Sequence, residues 1–190
     1  MTGANAPRGL SVRRATPADL RTIVALRLAL LREYRDHPVY GRLRQDAEQV
    51  AHDVFGKQLE SQMEASFLAE DGGVGVGLLR CVETLASPLF VPDRYCYVSS
   101  VYVRPSHRRR GILRALMAQA RAWCAERGLG EMRLHSVGPA TPAAAAWDAL
   151  GFDVVEQVRV LRIASAPRPL AADRSATRDR GSNPQPSSRS

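Results

Sequence analysis

The chain has 190 residues, 45% of them hydrophobic and 24% charged, the proportions of an ordinary globular domain. No apolar run is long enough to span a bilayer, and Met1 to Arg8 lacks the apolar core of a secretory signal, so a cytoplasmic protein without a membrane partner is expected. The net charge of +8 is concentrated: five arginines against two aspartates in residues 163–190, and five more arginines between Arg104 and Arg114, a pattern that suits a small polyanion better than a nucleic-acid groove.

In chain order, residues 1–9 read as a flexible leader. Leu10 to Arg14 reads as a short strand. Thr16-Pro-Ala-Asp19 then has the form of a helix start, with Thr16 as cap, Pro17 in the first turn and Asp19 reaching back. Leu20, Ile23, Val24, Leu28 and Leu31 follow at helical spacing, fading near Tyr34 to Pro38. A second helix is predicted from Asp46 to Glu60, with Val50, Val54, Phe55 and Leu59 on one side. Ser66 to Ala69 and Val74 to Glu83 form a predicted strand pair, turning at Asp71-Gly72-Gly73. Tyr95 to Val103 is a strand rich in aromatic and branched residues, ended by Pro105.

Gly111 to Glu126 is the clearest helix, with Leu113, Leu116, Met117, Ala120 and Cys124 as one stripe. Met132 to Ser136 is the next predicted strand, Pro142 to Leu150 a short helix, and Phe152 to Ile163 a final strand. Residues 164–190 have little to bury and are expected to be a disordered tail. The order points to an α/β domain over residues 10–163, with a mixed twisted sheet of about six strands flanked by about four helices. Cys81, Cys96 and Cys124 are odd in number and widely spaced, which argues against a disulfide framework or a zinc ribbon. Nor do the histidines show metal-ligand spacing, so no metal is expected.

The chemistry concentrates in Val101-Tyr-Val-Arg-Pro-Ser-His-Arg-Arg-Arg-Gly-Ile-Leu113, a strand, a turn and a helix start. A helix N-terminus offers unpaired N–H groups and the positive end of its dipole, and a phosphate there meets several donors at once. Gly111 permits close backbone approach. Arg108, Arg109, Arg110 and Arg114 add charge and forked donors. A solvated basic run at a helix start is the alternative reading of the same residues.

This stretch resembles motif A of the GNAT N-acetyltransferase superfamily, with the pattern R/Q-x-x-G-x-G/A opening a helix. Arg108-x-x-Gly111 fits it, and Leu113 stands where Gly or Ala is usual. The opening Arg14-Ala-Thr-Pro-Ala-Asp-Leu20 and the late Trp147-Asp-Ala-Leu-Gly-Phe152 are similar to the same family. The resemblance implies acetyl-CoA as cosubstrate and direct attack of an amine, on a small molecule or a protein, on its thioester. It implies that Val101 and Val103 pair with the pantetheine arm, and that the amides from Arg109 through Ile112 and Leu113 to Arg114 hold the pyrophosphate. A monomer or a homodimer suits the family.

Many relatives carry a tyrosine acid where this chain has Trp147, and an asparagine where it has Ala140. Trp147 then reads as a packing residue over the cofactor arm, and a non-catalytic acyl-CoA-binding module is the alternative function. For the base the candidates are Tyr97, Glu83 and His135, or ordered water; a histidine has a side chain suited to proton transfer near neutrality. Glu33, Asp36 and Asp93 could draw in a cationic amine or be solvated surface charges.

Overall fold

A computed structural model describes residues 9–138 and 141–161. Its sheet has five strands in the order β1 (Leu10–Arg14), β2 (Glu64–Asp71), β3 (Val74–Leu85), β4 (Arg94–Val103) and β5 (Met132–Leu134). The first four pair antiparallel, and β5 joins β4 in parallel. Helices α1 (Leu20–Glu33) and α2 (Ala47–Glu60) precede β2; α3 (Ile112–Glu126) and α4 (Pro142–Asp148) flank β5 in sequence. The α/β architecture expected from the element order is therefore present.

Each element has a local cause. Asp19 accepts hydrogen bonds from the Thr16 N–H at 2.8 Å and from Arg13, so the cap also ties β1 to the start of α1. Gly72 and Gly73 both have positive φ, 59° and 79°, the conformation a two-residue β2–β3 turn requires. Gly77 needs its missing side chain for a different reason. A Cβ there would lie 3.1 to 3.2 Å from Ile112, Ala69 and Leu116, so α3 could not sit as close to the sheet.

Two apolar layers result. Leu26, Leu30, Leu68, Leu78 and Tyr102 join α1 to one face. Phe67, Leu79, Val98, Leu116 and Trp123 join α3 to the other. The three cysteines lie in this second layer as free, buried thiols. Burial along α3 runs through Ile112, Leu116, Met117, Ala120, Trp123 and Cys124. Leu113, expected on that stripe, is only half-buried, because Ile112 occupies the inward position one residue earlier. In α2 no residue is fully buried, and Val50 and Val54 are partly open to solvent.

Three boundaries differ from expectation. The strand predicted from Met132 to Ser136 stops at Leu134, where pairing with β4 stops. The helix predicted to Leu150 ends at Asp148. The strand predicted from Phe152 to Ile163 is not formed in residues 152–161: its valines have strand propensity, but no ladder partner is present among the described residues, and propensity alone does not make a strand. Ile163, residues 1–8, Ala140 and the tail from 164 lie outside the described residues. No helix among the described residues is long and apolar enough to cross a membrane.

Candidate functional site

The site begins with an irregularity in β4. Between the pairs Arg80–Ser99 and Leu78–Tyr102, β4 uses one residue more than β3. The surplus is absorbed at a bulge where Ser100 takes φ 53° and is buried. On the other side of β4, the parallel ladder with β5 ends at Val98–Leu134. Among the described residues, Ser99 to Val103 therefore run on with no partner strand on that side. Val101 and Val103 are half-buried there, packed against the α3 layer.

After β4 the chain makes a short 3-10 turn, Pro105–His107, then reaches α3 through Arg109 at φ 62° and Gly111 at φ 80°. A left-handed arginine carries a cost of about 1–3 kcal/mol. The return for it is visible in the amides. Among the described residues, the N–H groups of Arg109, Arg110, Gly111, Ile112, Leu113 and Arg114 meet no acceptor; the first that does is Ala115, bonded to the Gly111 carbonyl at 3.0 Å. Successive free amides ending on a helix N-terminus form an anion-binding concavity. Nothing lies within 4 Å of a Cβ placed on Gly111, so the space above it is open.

The arginines divide by task. Arg108 Nη2 lies 2.7 Å from both Glu33 oxygens and its Nε donates to the Val103 carbonyl at 2.9 Å. It straps the end of α1 to the end of β4. Arg110 is 3.4 Å from Asp71. Arg109 and Arg114 form no ion pair among the described residues and stay exposed beside the free amides. Charge for an anion thus comes from two of the four guanidiniums singled out in the sequence, with the backbone supplying the geometry.

Two of the three base candidates come together. The Tyr97 hydroxyl is 3.1 Å from His135 Nδ1, and the rings meet edge to face at 5.4 Å. The register explains it: Val98 pairs with Leu134, so His135 emerges just past the end of β5 on the side where Tyr97 faces. Burial, with Tyr40 and Tyr95 nearby, pushes the Tyr97 hydroxyl pKa up, so Tyr97 is a proton donor at neutral pH. The third candidate is placed elsewhere. Glu83 is buried, with one carboxylate oxygen 2.6 Å from Arg127 Nε and the other 2.7 Å from Arg94. The Arg127 guanidinium, with Arg94, holds its carboxyl below the usual carboxylate range against the opposing effect of burial. That is the geometry of a structural ion-pair network.

Trp147 packs edge to face on Phe152 at 5.6 Å, and its carbonyl accepts the Phe152 amide at 3.1 Å. It anchors the corner after α4. Of the acidic residues that might draw in a cation, Glu33 is held by Arg108 and Asp36 lies 3.5 Å from Arg35; Asp93 is exposed. Arg27 and Arg80, beside Tyr97, carried no sequence signal, because an arginine inside a helix or a strand reads as solvated surface.

The sequence profile of the acetyltransferase (GNAT) family matches residues 25–152. A search of the curated proteins found no match. Among solved structures, a GCN5-related N-acetyltransferase from Ralstonia eutropha JMP134 is 24% identical, with a TM-score of 0.67, covering 81% of this chain and 99% of its own. A predicted acetyltransferase with acetyl-CoA from Clostridium acetobutylicum is 17% identical, with a TM-score of 0.67, covering 80% of this chain and 96% of its own. The aminoglycoside N-acetyltransferase AAC(6')-Iy in complex with CoA is 24% identical, with a TM-score of 0.65, covering 83% of this chain and 97% of its own.

Proposed function

The chain belongs to the GNAT family of acetyltransferases, and from that premise we propose that it moves an acetyl group from acetyl-CoA to a primary amine by direct attack. The observation that carries this reading is the run of acceptor-free amides from Arg109 to Arg114, reached by a β4 end that has lost its parallel neighbour. The residues present fit the cosubstrate. The amide run suits a pyrophosphate, Arg109 and Arg114 add charge, and the β4 backbone at Val101 and Val103 offers peptide groups to the amides of a pantetheine arm. Bound there, acetyl-CoA supplies an activated thioester. Trp147 then acts by packing alone.

His135 and Tyr97 divide the proton work. With Nδ1–H donating to the Tyr97 oxygen, His135 Nε2 is left as the base that takes a proton from the attacking amine. The Tyr97 hydroxyl proton is then available to the departing sulfur. Because Tyr97 is held protonated by its surroundings, it serves as donor and orienting group. The Val101 N–H is the candidate donor to the oxyanion. Trp147 stands where relatives carry an acid, and Tyr97 on β4 takes that role in this reading.

The test is release of free CoA thiol from acetyl-CoA over a panel of primary amines. Turnover above hydrolysis is expected, with kcat reduced about 100-fold in His135→Gln, within the range for loss of a general base. CoA binding with no amine turned over, or a His135→Gln enzyme as fast as the parent, would count against the reaction.

A further inference from the structure

The side of the sheet that carries Tyr97 constrains which amine can be the acceptor. Arg27, on α1, is partly buried and has no carboxylate partner among the described residues. Its neighbours there are Tyr40, Arg80 and Tyr97. Arg80 is neutralised by Glu64 at 2.7 Å and also donates to Ser99. Arg44 is neutralised by Asp46 at 2.7 Å. Arg27 is left as a cation withdrawn from water without a counter-charge, which is costly unless an anion arrives.

Arg27 also borders a cavity of about 250 Å³ between α1, the segment before α2, and α2. Its walls are apolar, with Leu28, Leu31, Leu43, Val54 and Phe55, and Arg42 is a second cation lining it, without an ion pair among the described residues. The space is partly open to solvent and accommodates an apolar amino-acid side chain. Of the acids facing a possible cation, Glu33 is held by Arg108 and Asp36 lies 3.5 Å from Arg35, while Asp93 is exposed with no ion pair among the described residues.

We infer that the acceptor is an amine that also bears a carboxylate, an amino-acid-like molecule with an apolar side chain. Its carboxylate is held by the Arg27 fork and its side chain lies in the α1–α2 cavity. This rests on the acetyl-transfer reading and narrows it. It separates the chain from those structural neighbours that are named as aminoglycoside acetyltransferases. Burial and the nearby Arg80 lower the Arg27 pKa, yet a guanidinium stays cationic under such shifts. Planar forked donors match a carboxylate in two parallel hydrogen bonds.

The test is calorimetric titration of the CoA-bound protein with leucine, phenylalanine, leucinamide and kanamycin. Leucine and phenylalanine are expected to bind at least about tenfold more tightly than leucinamide or kanamycin, the scale of one charge-assisted contact. Arg27→Gln should weaken leucine about tenfold and leave leucinamide unchanged, and Arg27→Lys should keep part of the preference. Should either variant melt early, the leucine–leucinamide comparison on the parent protein decides alone. Equal or tighter binding of leucinamide or kanamycin, or no binding of either amino acid, would overturn the inference. CoA release, followed in parallel, separates the two levels. Turnover of kanamycin but not of leucine keeps acetyl transfer and sinks the carboxylate. Leucine binding that depends on Arg27 without turnover keeps the carboxylate site and sinks the transfer.

Discussion

The two halves of the site are built from different materials. The anion cradle at the start of α3 is a backbone object: six amides, two left-handed residues and a helix end, all within Arg109 to Arg114. The proposed acceptor side is a side-chain object, assembled from Arg27 on α1, Tyr97 on β4 and His135 beyond β5. A backbone site depends on conformation and tolerates most changes of side chain. A side-chain site depends on identity, and its members are far apart in sequence. The two halves should therefore fail in different ways when mutated.

The largest effect is expected on the side-chain half. Besides lowering kcat about 100-fold, His135→Gln should leave the KM for acetyl-CoA within about twofold; steady-state kinetics with acetyl-CoA varied would check the split. Next comes the backbone half. Gly111→Val forces a β-branched residue to φ 80°, and an acetyl-CoA KM raised about 30-fold is expected, with direct titration of CoA showing the same loss. Charge at the neighbouring position matters less than shape: Arg109→Gly, already left-handed at φ 62°, should raise the melting temperature while weakening CoA only about threefold. A third step returns to the side chains. Tyr97→Phe removes the partner of His135 Nδ1 and should lower kcat about tenfold and displace the pH–rate profile, the readout that distinguishes an orienting role from packing.

The smallest effect on activity is expected from Glu83, although its effect on stability is substantial. Its carboxyl pKa is depressed in the folded chain, so its stabilisation is present above the ordinary glutamate value of about 4.3 and is lost as pH falls through the lower folded value. Glu83→Gln should cost about 2 kcal/mol at pH 7, less than for a fully buried pair because Arg94 and Arg127 remain partly solvated. The loss should shrink in urea titrations carried down toward pH 3, while kcat at pH 7 stays near that of the parent. A large drop in kcat would return Glu83 to the list of bases.

The same contrast explains what the sequence made legible. Arg108-x-x-Gly111 sits in one local stretch, and a glycine at the start of a helix behind a run of arginines can be read from a single window, though its left-handed φ of 80° emerges only in the fold. The five paired strands and four helices follow from periodicity and caps that are equally local. The bulge at Ser100 left no mark, because Ser99-Ser100 is compatible with a regular strand; only the register against Leu78 and Arg80 reveals it. Glu83 looked available as a base because its partners, Arg94 and Arg127, are brought to it by β4 and the end of α3. The strand expected after Phe152 shows the opposite limit, since valine spacing states a propensity and pairing needs a neighbour. Tyr97 and His135 were both identifiable as residue types, but their adjacency depends on the parallel register of β4 with a three-residue β5.

In the reading proposed above, backbone amides of one short segment hold the cosubstrate's phosphates. Amide-resolved NMR of the protein titrated with CoA tests it most directly. The N–H signals of Arg109 to Arg114 are expected to shift together, with one dissociation constant, and to become protected from hydrogen exchange. Saturable CoA binding that leaves those six amides unmoved, and perturbs another surface instead, would contradict it.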